Sequence, residues 1–269
     1  MSDTRLKAIV LDWAGTVIDH GSLAPMGVFV RSFEQFGVEI TIDEARGPMG
    51  MAKRDHIRAV MNLPRVREAW RARHGAAPTE VDVDRVYDVF VPMNIEVVTD
   101  HAILIDGVAE VVARLRARGL LIGSTTGYTR EIMAPVLPMA AQQGYAPDSL
   151  VCAGDTGAGR PTPAMMYQTF LNLAVWPAWS VVKVDDTEVG IAEGLNAGCW
   201  TVGVAVTGNV FGLSAADTAA LAPSDFERRR AAAYGKLTRA GAHHVVDGVW
   251  DLERALDAIE GAWAGGARP

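Results

Sequence analysis

Residues 7–16 read KAIVLDWAGT, and this stretch decides how the rest of the chain is interpreted. Ala8 to Leu11 form a short apolar run that ends at Asp12, and Gly15 follows three residues later. Such a run, closed by turn residues, is typical of a buried strand in a parallel sheet. Ligands of open α/β sheets bind outside the carboxyl ends of the strands, which is where Asp12 stands. A lone aspartate can also simply end a strand or cap a turn, so its role depends on the later parts of the chain.

The composition is that of an ordinary globular protein. The 269 residues are 49% hydrophobic and 21% charged, which suits one large α/β domain or a core with a smaller cap. The net charge of −7 argues against a nucleic-acid partner and gives no attraction to anionic membranes. An anionic small-molecule substrate stays possible, because a local Mg²⁺ or arginine can reverse the sign of the charge inside a site.

The sequence predicts a cytoplasmic protein. Met1 to Thr4 are polar and Asp12 interrupts the first apolar run, so we expect no signal peptide. No stretch approaches the roughly 18 apolar residues of a membrane span. Cys152 and Cys199 lie far apart without metal-site spacing, which favours buried free thiols in a reducing compartment.

The chain between Pro25 and Thr99 is predicted to be almost entirely helical. Phe29, Phe33 and Phe36 recur at helical spacing, as apolar residues do again between positions 86 and 93. An all-helical insert directly after the first strand favours a separate cap over the carboxyl end of that strand. We therefore predict a helical cap domain over residues 21–99.

From residue 100 onward strands and helices alternate. Strands are predicted at 120–123, 150–152, 180–184 and 201–206, with a last one near 243, and residues 261–269 read as a frayed tail. This alternation predicts an α/β fold with a doubly wound parallel sheet, built from residues 1–20 and 100–269.

Polar residues stand at the ends of several of these predicted strands. Asp12 follows the first strand, Thr126 the second, and Asp185 and Asp186 a later one, while Arg160 lies in the loop after the strand at 150–152. Parallel strands bring such residues to one edge of the sheet. Each has a simpler explanation alone, as a helix cap, a turn residue or a surface cation. Together they suit phosphoryl transfer, with a nucleophile, a hydroxyl donor, a cation and metal-binding carboxylates.

The chemistry of phosphoryl transfer explains why these residue types belong together. A carboxylate that approaches a phosphoryl dianion meets strong repulsion in a site of low dielectric constant. A Mg²⁺ held by Asp12 and Asp186 offsets that repulsion. Arg160 can hold two phosphoryl oxygens, and Thr126 with the Gly127 N–H can hold others.

The DWAGT stretch, Thr126, Arg160 and the Asp185–Asp186 pair resemble the four motifs of the haloacid dehalogenase superfamily. Most phosphatases of that superfamily carry a second aspartate two residues after the nucleophile, as the acid that protonates the leaving oxygen. This sequence has Ala14 there. Hydrolysis of an ordinary phosphate ester would therefore lack its proton donor.

The absence of that acid fits cleavage of a carbon–phosphorus bond, in which the leaving carbanion needs an electron sink. A lysine that condenses with a neighbouring aldehyde supplies one. Residues 46–56, RGPMGMAKRDH, contain Lys53, which shares a predicted helix face with His56. A second cation, Arg54 or protonated His56, and the two methionines of the stretch would lower the pKa of the amine. The alternative is a helix lysine that simply faces solvent.

The DWAGT stretch, residues 46–56 and the GRPTP segment at 159–163 together resemble the phosphonoacetaldehyde hydrolase family, over nearly the whole chain. The resemblance implies that Asp12 is the nucleophile and Lys53 the Schiff-base residue. It also implies one Mg²⁺ per subunit, a set of metal ligands and a set of substrate-binding residues. The implied metal ligands are Asp12, the Ala14 carbonyl and Asp186, and the implied substrate-binding residues are Thr126, Gly127, Arg160, His56, Met49 and Tyr128.

The same resemblance implies that the substrate is phosphonoacetaldehyde, cleaved to acetaldehyde and phosphate in the degradation of 2-aminoethylphosphonate, by a homodimer formed through the cap. One alternative is a Mg²⁺-dependent phosphatase or phosphomutase of the same superfamily. A dehalogenase also lacks the second aspartate, but it does not need the metal site. A non-catalytic module that is phosphorylated on Asp12 as a signal is the alternative from another class.

Overall fold

The computed structural model describes residues 6–269 of the chain. Residues 1–5 of the predicted core lie outside the described residues, and so does the polar N-terminus on which the expectation of no signal peptide partly rests. Among the described residues, no helix has both the length and the apolar character needed to cross a membrane.

Six parallel strands form one sheet within residues 6–269. Across the sheet their order is β3-β2-β1-β4-β5-β6, so the predicted α/β fold with a parallel sheet is confirmed. The direction of winding reverses at β1, which pairs with β2 on one side and β4 on the other. The carboxyl end of β1 is thus the point at which sheets of this kind bind ligands. The strands are β1 (Ala8–Leu11), β2 (Leu121–Thr126), β3 (Ser149–Cys152), β4 (Val181–Asp185), β5 (Trp200–Val204) and β6 (His244–Val246).

Strand β1 is apolar throughout because both of its faces are covered. Ala8 and Val10 belong to a small hydrophobic cluster that includes Met166, whereas Ile9 and Leu11 belong to the largest cluster of the molecule. A parallel strand with helices packed on both faces has no polar face to present. This packing explains why the strand reads as a continuous run rather than as an alternating pattern.

Seven α-helices lie within residues 100–269. The predicted frayed tail was wrong for residues 261–264, because α12 continues through them and buries Trp263 in the core. Cys152 and Cys199 are buried free thiols, as predicted. The helices are α6 (Val108–Ala117), α7 (Arg130–Gln142), α8 (Ala164–Leu173), α9 (Glu188–Asn196), α10 (Ala215–Ala219), α11 (Pro223–Arg239) and α12 (Leu252–Ala264).

Five further helices lie in the chain between β1 and β2 within the described residues. Their buried apolar residues, with Phe29, Phe33, Trp70 and Phe90 among the largest, form a hydrophobic cluster of their own. Helix α5 packs against both α1 and α3. The division of the chain at residues 21–99 into a cap domain stays a prediction. The helices are α1 (Ala24–Glu34), α2 (Ile42–Arg46), α3 (Lys53–Met61), α4 (Pro64–His74) and α5 (Glu80–Val98).

Candidate active site

The carboxyl edge of the sheet brings together the polar residues that follow its central strands. The register places Leu11, the last residue of β1, beside Ser124 of β2 and Val184 of β4. Asp12 therefore lies next to the end of β4, and Arg160 reaches it from the loop after β3, with Nη2 2.9 Å from Asp12 Oδ1. Residues far apart in the sequence thus meet at one edge, as the alternating pattern predicts.

The loop after Asp12 needs a glycine. Gly15 has a φ of +82°, which side chains rarely adopt, and a Cβ there would overlap Oδ2 of Asp186. The glycine of the DWAGT stretch therefore allows the turn that follows β1 to pack directly against the Asp186 carboxylate.

Asp12, Asp185 and Asp186 form a buried acidic cluster whose oxygen atoms lie within 4.8 Å of one another. Burial and the charges of Asp12 and Asp185 raise the pKa of Asp186 well above its ordinary value. Burial and the nearby Asp185 likewise raise the pKa of Asp12. A cation would relieve this repulsion, so the cluster is compatible with a metal ion.

The hydrogen bonds distinguish the two neighbouring aspartates. Oδ1 of Asp185 accepts from the N–H and the hydroxyl of Thr187, at 3.0 and 2.7 Å, and its Oδ2 lies 3.0 Å from Lys183 Nζ. Oδ2 of Asp186 accepts the Asn209 N–H at 2.7 Å, whereas its Oδ1 has no hydrogen-bond partner among the described residues. Oδ2 of Asp185 also has no hydrogen-bond partner among the described residues, but it is neutralised by its ion pair with Lys183, whereas Oδ1 of Asp186 has no cation beside it. A metal ion therefore fits Asp12 and Asp186 better than Asp185.

Lys53 begins α3 and is buried, with 4% of its surface exposed. Its Nζ lies 4.0 Å from the Met49 sulfur and 4.7 Å from the centroid of the Tyr128 ring. Burial lowers the pKa of the amine to about 8, an effect that the charge of Asp12 opposes and that of Arg160 reinforces. A buried amine with such a pKa is available as a nucleophile near neutral pH.

The cation that lowers the pKa of Lys53 is not the one expected from the sequence. Arg54 faces the surface, where it pairs with Glu80 at 2.9 Å and Asp84 at 2.6 Å. His56 is buried, and its pKa lies well below the ordinary value because of burial and the charge of Lys53. The neutral ring cannot act as the second cation. The positive charge that lowers the pKa of Lys53 is that of Arg160, at the sheet edge.

Comparisons with known proteins show the family of the chain. A family model described as haloacid dehalogenase-like hydrolase matches residues 6–198. The chain is 60% identical over 265 residues to a phosphonoacetaldehyde hydrolase of Paraburkholderia phytofirmans, an alignment that covers 98% of this chain and 99% of the relative. The chain belongs to the phosphonoacetaldehyde hydrolase family, within the haloacid dehalogenase-like hydrolases.

More distant members of the phosphonoacetaldehyde hydrolase family agree over the same length. The relative from Klebsiella pneumoniae is 46% identical, with 98% of this chain and 99% of the relative covered. A crystal structure of a phosphonoacetaldehyde hydrolase-like protein from Oleispira antarctica superposes with a TM-score of 0.96 at 44% identity, covering 98% of this chain and 96% of that one.

The predicted site residues of this family line one cavity at the sheet edge, with one exception. His56 lies behind the cavity, where its Nε2 donates to the Ala45 carbonyl at 2.6 Å and its ring packs against that of Phe29 at a tilt of 36°. The predicted residues that line the cavity are Asp12, Ala14, Met49, Lys53, Thr126, Gly127, Tyr128, Arg160 and Asp186.

Three further residues line the cavity and were not predicted from the sequence: Ser22, Gly50 and Thr187. The Ser22 hydroxyl is buried and has no partner among the described residues. The only feature of the sequence that points to Ser22 is its position beside residue 21, where the predicted cap domain begins. Gly50 has a φ of +92°. Its occurrence as a glycine in the turn before α3 is the feature of the sequence that could have pointed to it.

Glycines on both sides let the loop before α3 lie directly on the sheet edge. A Cβ at Gly127 would lie 2.7 Å from the Met51 carbonyl oxygen, and a Cβ at Gly50 would overlap the Thr187 hydroxyl. A side chain at either position would separate the loop from the sheet. Gly127 therefore has a steric reason to be a glycine, since the anion-holding N–H that the family resemblance implies would be present in any residue except proline.

Proposed function

We propose that this chain hydrolyses the carbon–phosphorus bond of phosphonoacetaldehyde, giving acetaldehyde and phosphate. The observation that carries the proposal is the pairing of Lys53 with Asp12 in one buried cavity. Lys53 offers an amine whose pKa is near 8, and Asp12 lies at the switch point of the sheet beside Arg160. The names of the relatives point to the same substrate.

Lys53 acts first in the proposed mechanism. Its neutral amine attacks the aldehyde carbon, and loss of water gives an imine that links the substrate to Lys53. A proton from solvent on the imine nitrogen then gives the iminium ion. This iminium can accept the electron pair of the carbon–phosphorus bond and become an enamine. The leaving carbon is thereby stabilised without a proton donor at oxygen, which fits the presence of Ala14 where many phosphatases of the superfamily carry an acid.

Asp12 then takes the phosphoryl group. One carboxylate oxygen attacks phosphorus as the bond to carbon breaks, which gives an aspartyl phosphate and the enamine on Lys53. Water hydrolyses the aspartyl phosphate to phosphate and restores Asp12. Protonation of the enamine carbon and hydrolysis of the resulting imine release acetaldehyde and restore the amine.

The remaining residues of the cavity bind and orient the substrate in this proposal. Arg160, Thr126 and the Gly127 N–H hold the phosphonyl oxygens, and the Thr126 hydroxyl is itself fixed by the Tyr128 N–H at 3.1 Å. Met49 and Tyr128 surround the amine end, where their apolar surfaces keep water away from Lys53. His56 does not touch the substrate in this proposal, and it supports the site from behind through its contacts with Ala45 and Phe29.

We propose Mg²⁺ as the metal ion of this site. Asp12, the Ala14 carbonyl and the partner-free oxygen of Asp186 would hold it, since oxygen donors of this kind suit a hard cation. When bound, the ion neutralises charge between the aspartate and the phosphonyl group.

The alternative activities receive less support. Asp12 has only 6% of its surface exposed, so a protein partner that reads a phosphorylated aspartate has no access to it. A phosphatase or phosphomutase would need another acid in place of Ala14. We also propose that residues 21–99 act as a cap, that the enzyme is a homodimer formed through this cap, and that it works in the cytoplasm, in keeping with its free thiols.

An assay with phosphonoacetaldehyde, in which acetaldehyde and phosphate are both measured, tests the proposed function. Removal of divalent cations by a chelator should slow phosphate release by roughly a hundredfold or more, and added Mg²⁺ should restore it. Release of neither product by the Mg²⁺-supplemented protein would contradict the proposal.

The pKa of Lys53 predicts the pH dependence of the first step. Because the pKa is lowered from 10.5 to about 8, the neutral amine becomes abundant as the pH rises through 8. The rate of borohydride trapping of Lys53 with substrate should rise about tenfold per pH unit well below pH 8 and level off above it. Labelling of Lys236, on the surface of α11, controls for the reagent. A rate that still climbs steeply to pH 10 would contradict the lowered pKa.

A further inference from the structure

A buried charged network lies beneath the cavity, and the mechanism above does not use it. Glu193 of α9 and Lys183 of β4 are both fully buried, and neither lines the cavity. Burial of a carboxylate and an ammonium group costs free energy that a neutral pair would not. The contacts of these two groups, directly under the cavity, show which other residues they hold in place.

The Thr125 hydroxyl connects this network. It donates to Glu193 Oε2 at 2.9 Å, and it accepts from Lys183 Nζ and Arg160 Nη2, both at 2.8 Å. A hydroxyl has one hydrogen to donate and two lone pairs to accept with, and all three are engaged. The hydroxyl is thus fixed in one orientation.

Arg160 is held along its inner side by this network. Its Nε forms an ion pair with Glu193 Oε2 at 2.9 Å, without the geometry of a hydrogen bond, and its Nη2 donates to the Thr125 carbonyl at 2.7 Å. Its other contacts are at the sheet edge, where Nη2 meets Asp12. The guanidinium is planar and rigid, so the ion pair at Nε together with the hydrogen bonds of Nη2 to Thr125 restricts the direction of Nη1.

The charges of the network show what each member balances. Lys183 Nζ lies 3.0 Å from Asp185 Oδ2 and 3.4 Å from Glu193 Oε2. Arg160 carries one positive charge, so Lys183 is needed to balance the charges of these two carboxylates. Arg160 faces Asp12 on one side and Glu193 on the other. Its Nη1 has only long contacts, at 3.5 Å, with the Gly50 carbonyl and Asp185 Oδ2, so this nitrogen can turn to an entering phosphonyl group while the contact with Glu193 needs no change.

We propose that Glu193 is a positioning residue that anchors Arg160, so that its terminal nitrogens address the phosphonyl group of the substrate. This inference rests on the proposed function, in which Arg160 holds that group. Lys183 and Thr125 support the anchor by fixing the Glu193 carboxylate.

The test is the variant Glu193→Gln, with inorganic phosphate as the probe of the anion site. Loss of the charged anchor should weaken phosphate binding and raise the KM for phosphonoacetaldehyde, each by roughly tenfold or more. Borohydride trapping of Lys53 with acetaldehyde, which has no phosphonyl group, should stay within about twofold of wild type. A general loss of structure would reduce both readouts together.

Two further variants separate positioning from folding. The double variant Lys183→Met with Glu193→Gln removes both charges, so it should fold even where the single variant does not, and it should still bind phosphate weakly. Glu193→Asp keeps the charge and should recover part of the binding. Glu188→Gln, on the same helix but paired with Lys236 at the surface, should match wild type.

Wild-type phosphate affinity in folded Glu193→Gln would overturn the proposal. Equal loss of phosphate binding and Lys53 trapping, or failure of both the single and the double variant to fold, would also overturn it, because Glu193 would then serve the fold. The phosphate-binding comparison needs no turnover. Failure of the wild-type protein to cleave phosphonoacetaldehyde would therefore count against the proposed function alone.

Discussion

Replacement of Lys53 by arginine is expected to abolish release of acetaldehyde from phosphonoacetaldehyde. The guanidinium stays protonated and cannot condense with an aldehyde, so the carbon–phosphorus bond loses its electron sink. The rate should fall by roughly 10⁴-fold or more, as it does when other enzymes lose a covalent nucleophile. Lys53→Met, whose side chain packs like the aliphatic part of lysine, should be equally inactive. Both products are measured in the steady state, and the trapped protein is digested to locate the label.

Two controls show whether the loss of activity is specific to Lys53. Lys236→Arg makes the same substitution on α11, away from the cavity, and should leave the rate unchanged. Borohydride in the presence of substrate should add mass to the peptide that contains Lys53 in wild type and not in the variants. If Lys53→Arg releases acetaldehyde at the wild-type rate, the Schiff base is not part of the reaction. A phosphatase or phosphomutase would then be the better interpretation.

The variant Asp12→Asn should stop phosphate release while leaving the amine chemistry intact. The amide is a poor acceptor for the phosphoryl group, so phosphate release should fall by roughly 10⁴-fold or more. Lys53 should still be trapped by borohydride with phosphonoacetaldehyde, because imine formation does not need the carboxylate. The substitution also removes one charge from a buried acidic cluster, so we expect the thermal midpoint not to fall.

This second experiment separates the two groups. Asp88→Asn, on the exposed side of α5, is the control for loss of an aspartate charge. Lys53 trapping that disappears together with phosphate release would mean that Asp12 also serves the amine step. Phosphate release at the wild-type rate would mean that another group accepts the phosphoryl group, and the assignment of Asp12 would fall.

The sequence carried enough information to predict the sheet and its edge. A short apolar run that ends in Asp12, followed much later by alternating strands and helices, leaves few arrangements other than a doubly wound parallel sheet. That topology alone places Thr126, Arg160 and Asp186 beside Asp12. Boundaries were less certain. Strand β2 extends to Thr126, three residues beyond the predicted end at 123, and α12 continues past Ile259 because Trp263 packs in the core.

Predictions about the surroundings of individual side chains were less successful, for a physical reason. Spacing along a helix places Lys53, Arg54 and His56 close together, but it does not say which of them faces a cavity. Tertiary packing turns Arg54 toward Glu80 and Asp84 and buries the His56 ring against Phe29. The charge that acts on Lys53 comes from Arg160, more than 100 residues away in sequence, and no local pattern encodes that encounter.

The network under the cavity illustrates the same limit. Lys183 lies within an apolar strand and Glu193 within a helix, and each resembles an ordinary surface charge when read alone. Only the folded chain brings both to Thr125. Asp186 was already predicted as the metal ligand of the Asp185–Asp186 pair, but the contacts with Lys183 and Thr187 that occupy Asp185 are seen only in the structure.

Lys53 enters the cavity from a segment inserted between two neighbouring strands, whereas the groups that handle phosphorus belong to the sheet itself. The two halves of the chemistry can therefore be inherited separately. Exchange of the inserted helices would alter which bond is made labile and would leave the phosphorus-handling edge in place.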